Sequence, residues 1–102
     1  MSSTFILSVI TPEGAIFEEP VIAVSVPGQE GSLGVLNRHA PMVAKLRDGL
    51  VKVRREEGEA YLAIGSGILE VDHHTKCLLL VDYAYLAGNK EEAVARLRQS
   101  RG

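Results

Sequence analysis

The sequence is a single chain of 102 residues, 46% hydrophobic and 24% charged, with eleven basic against thirteen acidic residues and a formal charge of −2. That length fits one domain with a modest core, and the near balance of charge argues against nucleic acid, which favours a basic face. No run approaches the roughly 18 apolar residues of a membrane span; MSSTFILSV lacks the basic start of an export signal; and Cys77, alone, excludes an internal disulfide and fits a reducing, intracellular setting.

Taken in chain order, the first 85 residues are short apolar runs separated by turn residues. TFILSVI ends at Thr11-Pro12-Glu13-Gly14, where proline presets a turn angle and glycine tolerates positive φ. VIAVSV, Val21 to Val26, stops at Pro27-Gly28; alternation puts Ile22, Val24 and Val26 on one face and Val21, Ala23 and Ser25 on the other. LVKV and YLAI flank the polar RREEGEA as a hairpin with Gly58 in its loop. ILEV follows Gly65-Ser66-Gly67, and KCLLLVDY follows Asp72-His73-His74-Thr75. Roughly eight or more strands at this spacing predict a sandwich or barrel. Several strands are apolar on both faces, so one face is core and the other needs a second cover.

Composition changes at Gly88. Asn89 is a helix cap and Glu92, three residues on, makes a weaker form of the capping box. Ala93, Val94 and Leu97 then form an apolar stripe, with Lys90, Arg96, Arg98 and Arg101 elsewhere around the helix. A helix of about 11 residues does not stand alone in water, so it must pack on the sandwich or fray.

Within PGQEGSLGVLNRHAP, residues 27–41, Gly28, Gly31 and Gly34 recur every third residue. A phosphate loop needs a following lysine or a helix N-terminus; here the glycines lead into Val35-Leu36, and turns on either side of a short strand explain them. His39 sits before Ala40-Pro41 at a surface turn, with no nucleophile motif around it, so a backbone-bonded or solvated imidazole is expected. His73 and His74 would point to opposite sides of a strand, though a turn could bring them together; a zinc site needs more ligands than they supply. The charges of Arg54 to Glu59 pair across a hairpin tip, and Cys77 in its apolar strand is a buried hydrophobe. On these grounds an interaction module is favoured over an enzyme: no catalytic, cofactor or metal residue is assigned. A metal-dependent β-fold hydrolase using His39 or His73-His74 is the alternative.

Thr11-Pro12-Glu13-Gly14 then Phe17, Pro27-Gly28 then Gly31 and Gly34-Val35-Leu36, His39-Ala40-Pro41, Leu46 with Gly49, and Gly65 to Val71 together resemble the N-terminal domain of the epsilon subunit of F-type ATP synthases, called delta in mitochondria. The resemblance runs from about Phe5 to Tyr85. It implies a mainly β protein: a flattened sandwich of about ten strands over residues 1–86, then one short C-terminal helical tail over residues 87–102. It also implies a non-catalytic central-stalk subunit on the cytoplasmic face of the membrane, bound to gamma and to the ring of c subunits beneath the alpha-beta hexamer, without cofactor or lipid insertion. By position, Glu30, Ser32, Arg38 and His39 are the implied c-ring contacts. Many family members carry an acidic residue where Ser32 stands. The gamma contact is implied to be a strand with an apolar outer face, which the sequence does not single out. Longer family members add an inhibitory helical hairpin, in some of them an ATP sensor. The Arg-Ala element of those sensors would fall near Glu91 to Arg96, where EEAVAR lacks it, so the resemblance implies no nucleotide sensing; with the sequence ending at Gly102, inside the first of those helices, it implies weak or absent hairpin inhibition, a truncated longer protein being the alternative.

Overall fold

In the computed structural model, which describes residues 3–101, ten strands precede one helix. Met1 and Ser2 at the start of MSSTFILSV, and Gly102 at the end of the tail over residues 87–102, lie outside the described residues. The strands are β1 (Phe5–Thr11), β2 (Gly14–Val21), β3 (Ala23–Gly28), β4 (Gly31–Leu36), β5 (Met42–Leu46), β6 (Gly49–Arg55), β7 (Gly58–Ile64), β8 (Gly67–Val71), β9 (Cys77–Val81) and β10 (Ala84–Ala87), and the helix α1 is Lys90–Arg101. All belong to one sheet, ordered β10-β7-β6-β3-β5-β8-β9-β1-β2, with β4 beside β3. The β3–β5 link is a single bridge, Gly28 opposite Leu46, and there the sheet folds over. One layer holds β10, β7, β6, β3 and β4, the other β5, β8, β9, β1 and β2. At the far side β2 packs near β10 and β6 without pairing to them, and an ion pair between Arg55 Nη1 and Glu19 Oε1 at 3.2 Å ties the two layers. This is the expected flattened sandwich.

Period-two alternation builds the core. Leu7 and Val9, Val51 and Val53, Leu62 and Ile64, and Leu69 and Leu79 point inward and are buried from solvent. Two refinements follow from backbone geometry. Val21 to Val26 is not one strand: the chain bends at Ile22, so Val21 and Val24 are both buried, which strict alternation forbids. Gly28 and Gly31 flank the two-residue Gln29-Glu30 turn, with Gly31 at φ 136°, as the turn reading requires. Gly34 instead lies mid-strand in β4 opposite Ser25, away from any turn.

The strands that are apolar on both faces receive different covers. On β6, β7 and β10 the outer face is roofed by α1: Ala63 and Ala93 are fully buried there, and Ala87 and Leu97 nearly so. The cap forms as the sequence predicts, Glu92 N donating to Asn89 Oδ1 at 2.8 Å. The Glu92 carboxylate, though, reaches back to Gly88 N (3.3 Å) and the Tyr85 hydroxyl (3.1 Å), while Arg96 stacks 4.4 Å over the Tyr85 ring. On β8, β9 and β1 none of the described residues covers the outer face.

Candidate functional site

The strand pairing sets which loops share an end of the sandwich. Gly28, Leu46, Gly67 and Val81 are linked in register, so the Pro12-Glu13, Gln29-Glu30, Arg47-Asp48, Gly65-Ser66 and Asp82-Tyr83 connections share one end. Residues 37–41 and 72–76 share the other, where Arg38 N donates to Thr75 Oγ1 at 3.0 Å.

Glu30 and Ser32 therefore sit together, exposed, at the β3–β4 turn. Arg38 and His39 lie past the opposite end of β4, on the order of 20 Å away at about 3.3 Å per residue. The structure brings each pair together but separates the two pairs. At the turn, a cleft of about 500 Å³ opens between β4 and β5, lined by Glu30, Ser32, Leu33, Met42, Ala44 and Lys45 among others. Leu33, Met42 and Ala44 form its apolar floor, packed against the core.

At the other end, Arg38 and Thr75 both hold left-handed backbones, φ 66° and 58°, an uncommon state for side chains other than glycine. The bond between them, and Asp72 Oδ1 accepting from His74 N and Lys76 N (both 2.8 Å), hold these turns. Those two backbone donors, with the neighbouring histidines contributing less, keep the Asp72 carboxyl below the usual aspartate range. His39 Nδ1 donates to Ala40 O at 2.7 Å, the backbone-bonded state expected of it. His73 and His74 lie in the Asp72–Lys76 turn with ring centroids 4.6 Å apart, so the turn geometry, and not the strand geometry, is the one adopted. Among the described residues no three His, Cys, Asp or Glu side chains group as metal ligands. The hydrolase alternative thus has His39 committed to a backbone carbonyl and a two-histidine turn open to solvent. Cys77 is buried, and burial pushes its thiol up to about 12.

The uncovered face of β8, β9 and β1 is the surface the sequence could not place. Cross-strand register aligns Ile68, Leu80 and Ile10 in one row, and Glu70, Leu78, Ser8 and Glu18 in the next. Ile6, Ile68 and Leu80 are 37%, 42% and 43% exposed. Ser8 Oγ donates to Glu18 Oε2 at 2.8 Å on the rim, and Val43 of β5, opposite Glu70, extends the patch. Alternation on three separate strands supplies this face, but only their pairing assembles it. Among the described residues no helix is long and apolar enough to cross a membrane.

Residues 4–87 match the family described as ATP synthase, Delta/Epsilon chain, beta-sandwich domain. An ATP synthase epsilon chain of Magnetococcus marinus is 42% identical over 93% of this chain and 68% of its own length. One of Campylobacter fetus is 40% identical over 92% of this chain and 74% of its own. Among solved structures, a chain in the Euglena gracilis mitochondrial ATP synthase OSCP/F1/c-ring assembly superposes with a TM-score of 0.79 at 24% identity, over 98% of this chain and 64% of that one. A chain of the Tetrahymena thermophila central stalk/c-ring superposes with 0.71 at 14% identity; at these identities both report the fold. With the match spanning every strand of the sandwich and the relatives agreeing along it, this chain belongs to the ATP synthase delta/epsilon family.

Proposed function

We propose that the chain is a non-catalytic subunit of the rotor of an F-type ATP synthase, seated on gamma and on the c-ring, carrying torque between ion flow and the alpha-beta hexamer at the cytoplasmic face of the membrane. The single observation that carries this is the uncovered apolar face of β8, β9 and β1 on a sandwich of this family. An apolar patch of that kind marks a surface that is buried in an assembly, and gamma is the partner we place there. Glu30 and Ser32 at the β3–β4 turn form the first contact with the c-ring, and Arg38 with His39 at the far end of β4 the second. Serine at position 32 makes the first contact a hydrogen-bonding one, leaving Glu30 as its charge. The domain ends with β10, and α1 serves as a roof on the sandwich; with EEAVAR at residues 91–96, millimolar ATP leaves the melting temperature unchanged, since a ligand of the native state alone would raise it.

The test is recovery of gamma on the tagged chain. Leu80→Glu places a charge on the apolar face at a partly exposed site, and the account expects a folded protein that no longer retains gamma. Leu86→Glu, at a site of similar exposure on β10, retains it. Equal retention by both variants would remove the β8–β9–β1 face from the interface. Cysteine cross-linking from position 32 to c-ring loops tests the other contact.

A further inference from the structure

The two sides of the sandwich are closed differently. At the β2–β10 side, β2 carries Glu18, Glu19 and Pro20, which blunt an edge against foreign strands, and the Glu19–Arg55 pair ties the layers. At the β4–β5 side no such closure is found among the described residues. β4 pairs only with β3, and Met42 to Ala44 of β5 pair only with β8. The sequence of β4, GSLGVL, contains no charge and no proline, so neither of those two devices blunts its free edge. Ladder alternation then says which groups are free. Pro27 O and Gln29 N bond toward β5, so Gly28, Val26 and Val24 face β4 and bond Gly31, Leu33 and Val35. The N–H and C=O groups of Ser32 and Gly34 and the N–H of Leu36 therefore point outward, the Leu36 carbonyl being taken by His39 N at 3.2 Å, and all three residues are exposed. Beside this edge lies the 500 Å³ cleft with its apolar floor.

We propose that β4 accepts an added strand, an extended segment of gamma that runs along Ser32, Gly34 and Leu36 and sets alternate apolar side chains into the cleft over Leu33, Met42 and Ala44. Main-chain bonds to an open edge with alternate side chains in pockets are the known physics of strand addition. Gamma is the occupant because β5, which borders the cleft, also opens the layer whose outer face carries the apolar patch; Val43, 69% exposed on β5, continues that patch up to the seam. A partner on that face reaches the free edge without leaving the surface. Gly34, which no turn explains, has this use: it keeps the middle of the edge low, and a Cβ built there meets open space.

The inference rests on gamma binding as proposed above, and one experiment separates the two. Residue-resolved hydrogen exchange on the chain with and without gamma is expected to slow the amides of Ser32, Gly34 and Leu36 by about tenfold or more. Gly34→Pro removes an outward donor while leaving the β3–β4 ladder, a position where an edge strand tolerates proline, and is expected to weaken gamma binding about tenfold. Gly34→Ala, which keeps the donor, is expected to bind within about twofold of the parent. Gamma bound at the parent affinity by Gly34→Pro, with no slowing at the three amides, would overturn the added strand and leave the rotor assignment standing. No complex at all would overturn both.

Discussion

Asp72 shows how a single side chain builds a turn. Its carboxylate accepts from two backbone donors, and its folded titration point is depressed. The contribution is therefore present above the unfolded aspartate value of about 3.9 and is lost as pH falls through the lower folded value. Glu59, held down first by the Tyr61 hydroxyl and then by Lys52, has the same sign. Asp72→Ala is expected to lower Tm by a few degrees at pH 7, with parent and variant converging near about pH 2; an equal difference at both pH values would contradict the role. Cys77 makes a second residue-scale prediction. A buried thiol pushed up to about 12 is not ionised at neutral pH, so the native chain should stay unmodified by iodoacetamide at pH 8 and react fully in denaturant.

Among the elements, α1 depends most on its surroundings. Its cap, its two buried apolar residues and the Arg96–Tyr85 stack hold a helix too short to persist alone. Asn89→Ala should cost about 1 kcal/mol, and Leu97→Ala about 2 kcal/mol or more, read as lost helicity and lowered Tm. By contrast Leu79→Ala, inside the sandwich, should cost roughly 2–5 kcal/mol with the whole transition shifted. The cap and stripe were legible in the sequence because both are local patterns. β9 and the β6–β7 hairpin were legible as an apolar run and an alternation around Gly58. β2, β5 and β10 were not singled out, because GAIFEEPV mixes charge and proline, while MVAKL and AYLA are short. The bend at Ile22 was hidden inside an unbroken apolar run.

For the whole molecule, what escaped the sequence is how separate patterns meet. That Glu30 and Arg38 fall at opposite ends follows from the one strand between them, but GSLGVL reads weakly as a strand with its two glycines. Which two-faced strands lie under α1 and which stay open is a matter of pairing across the chain, β7 with β10 and β9 with β1. The histidine pair was legible as a turn or a strand, and only the backbone decides. The family resemblance carried more of the function than composition or spacing did, because many ordered matches constrain more than one three-glycine pattern.

The rotor assignment is tested most directly by reconstitution. Membrane vesicles carrying the synthase of the same source, stripped of this subunit, would be given back the purified chain, and ATP synthesis driven by an imposed ion gradient would be measured. The account predicts that coupled synthesis returns with the parent chain and fails with Leu80→Glu. A folded parent chain that neither binds the stripped complex nor restores synthesis would contradict it.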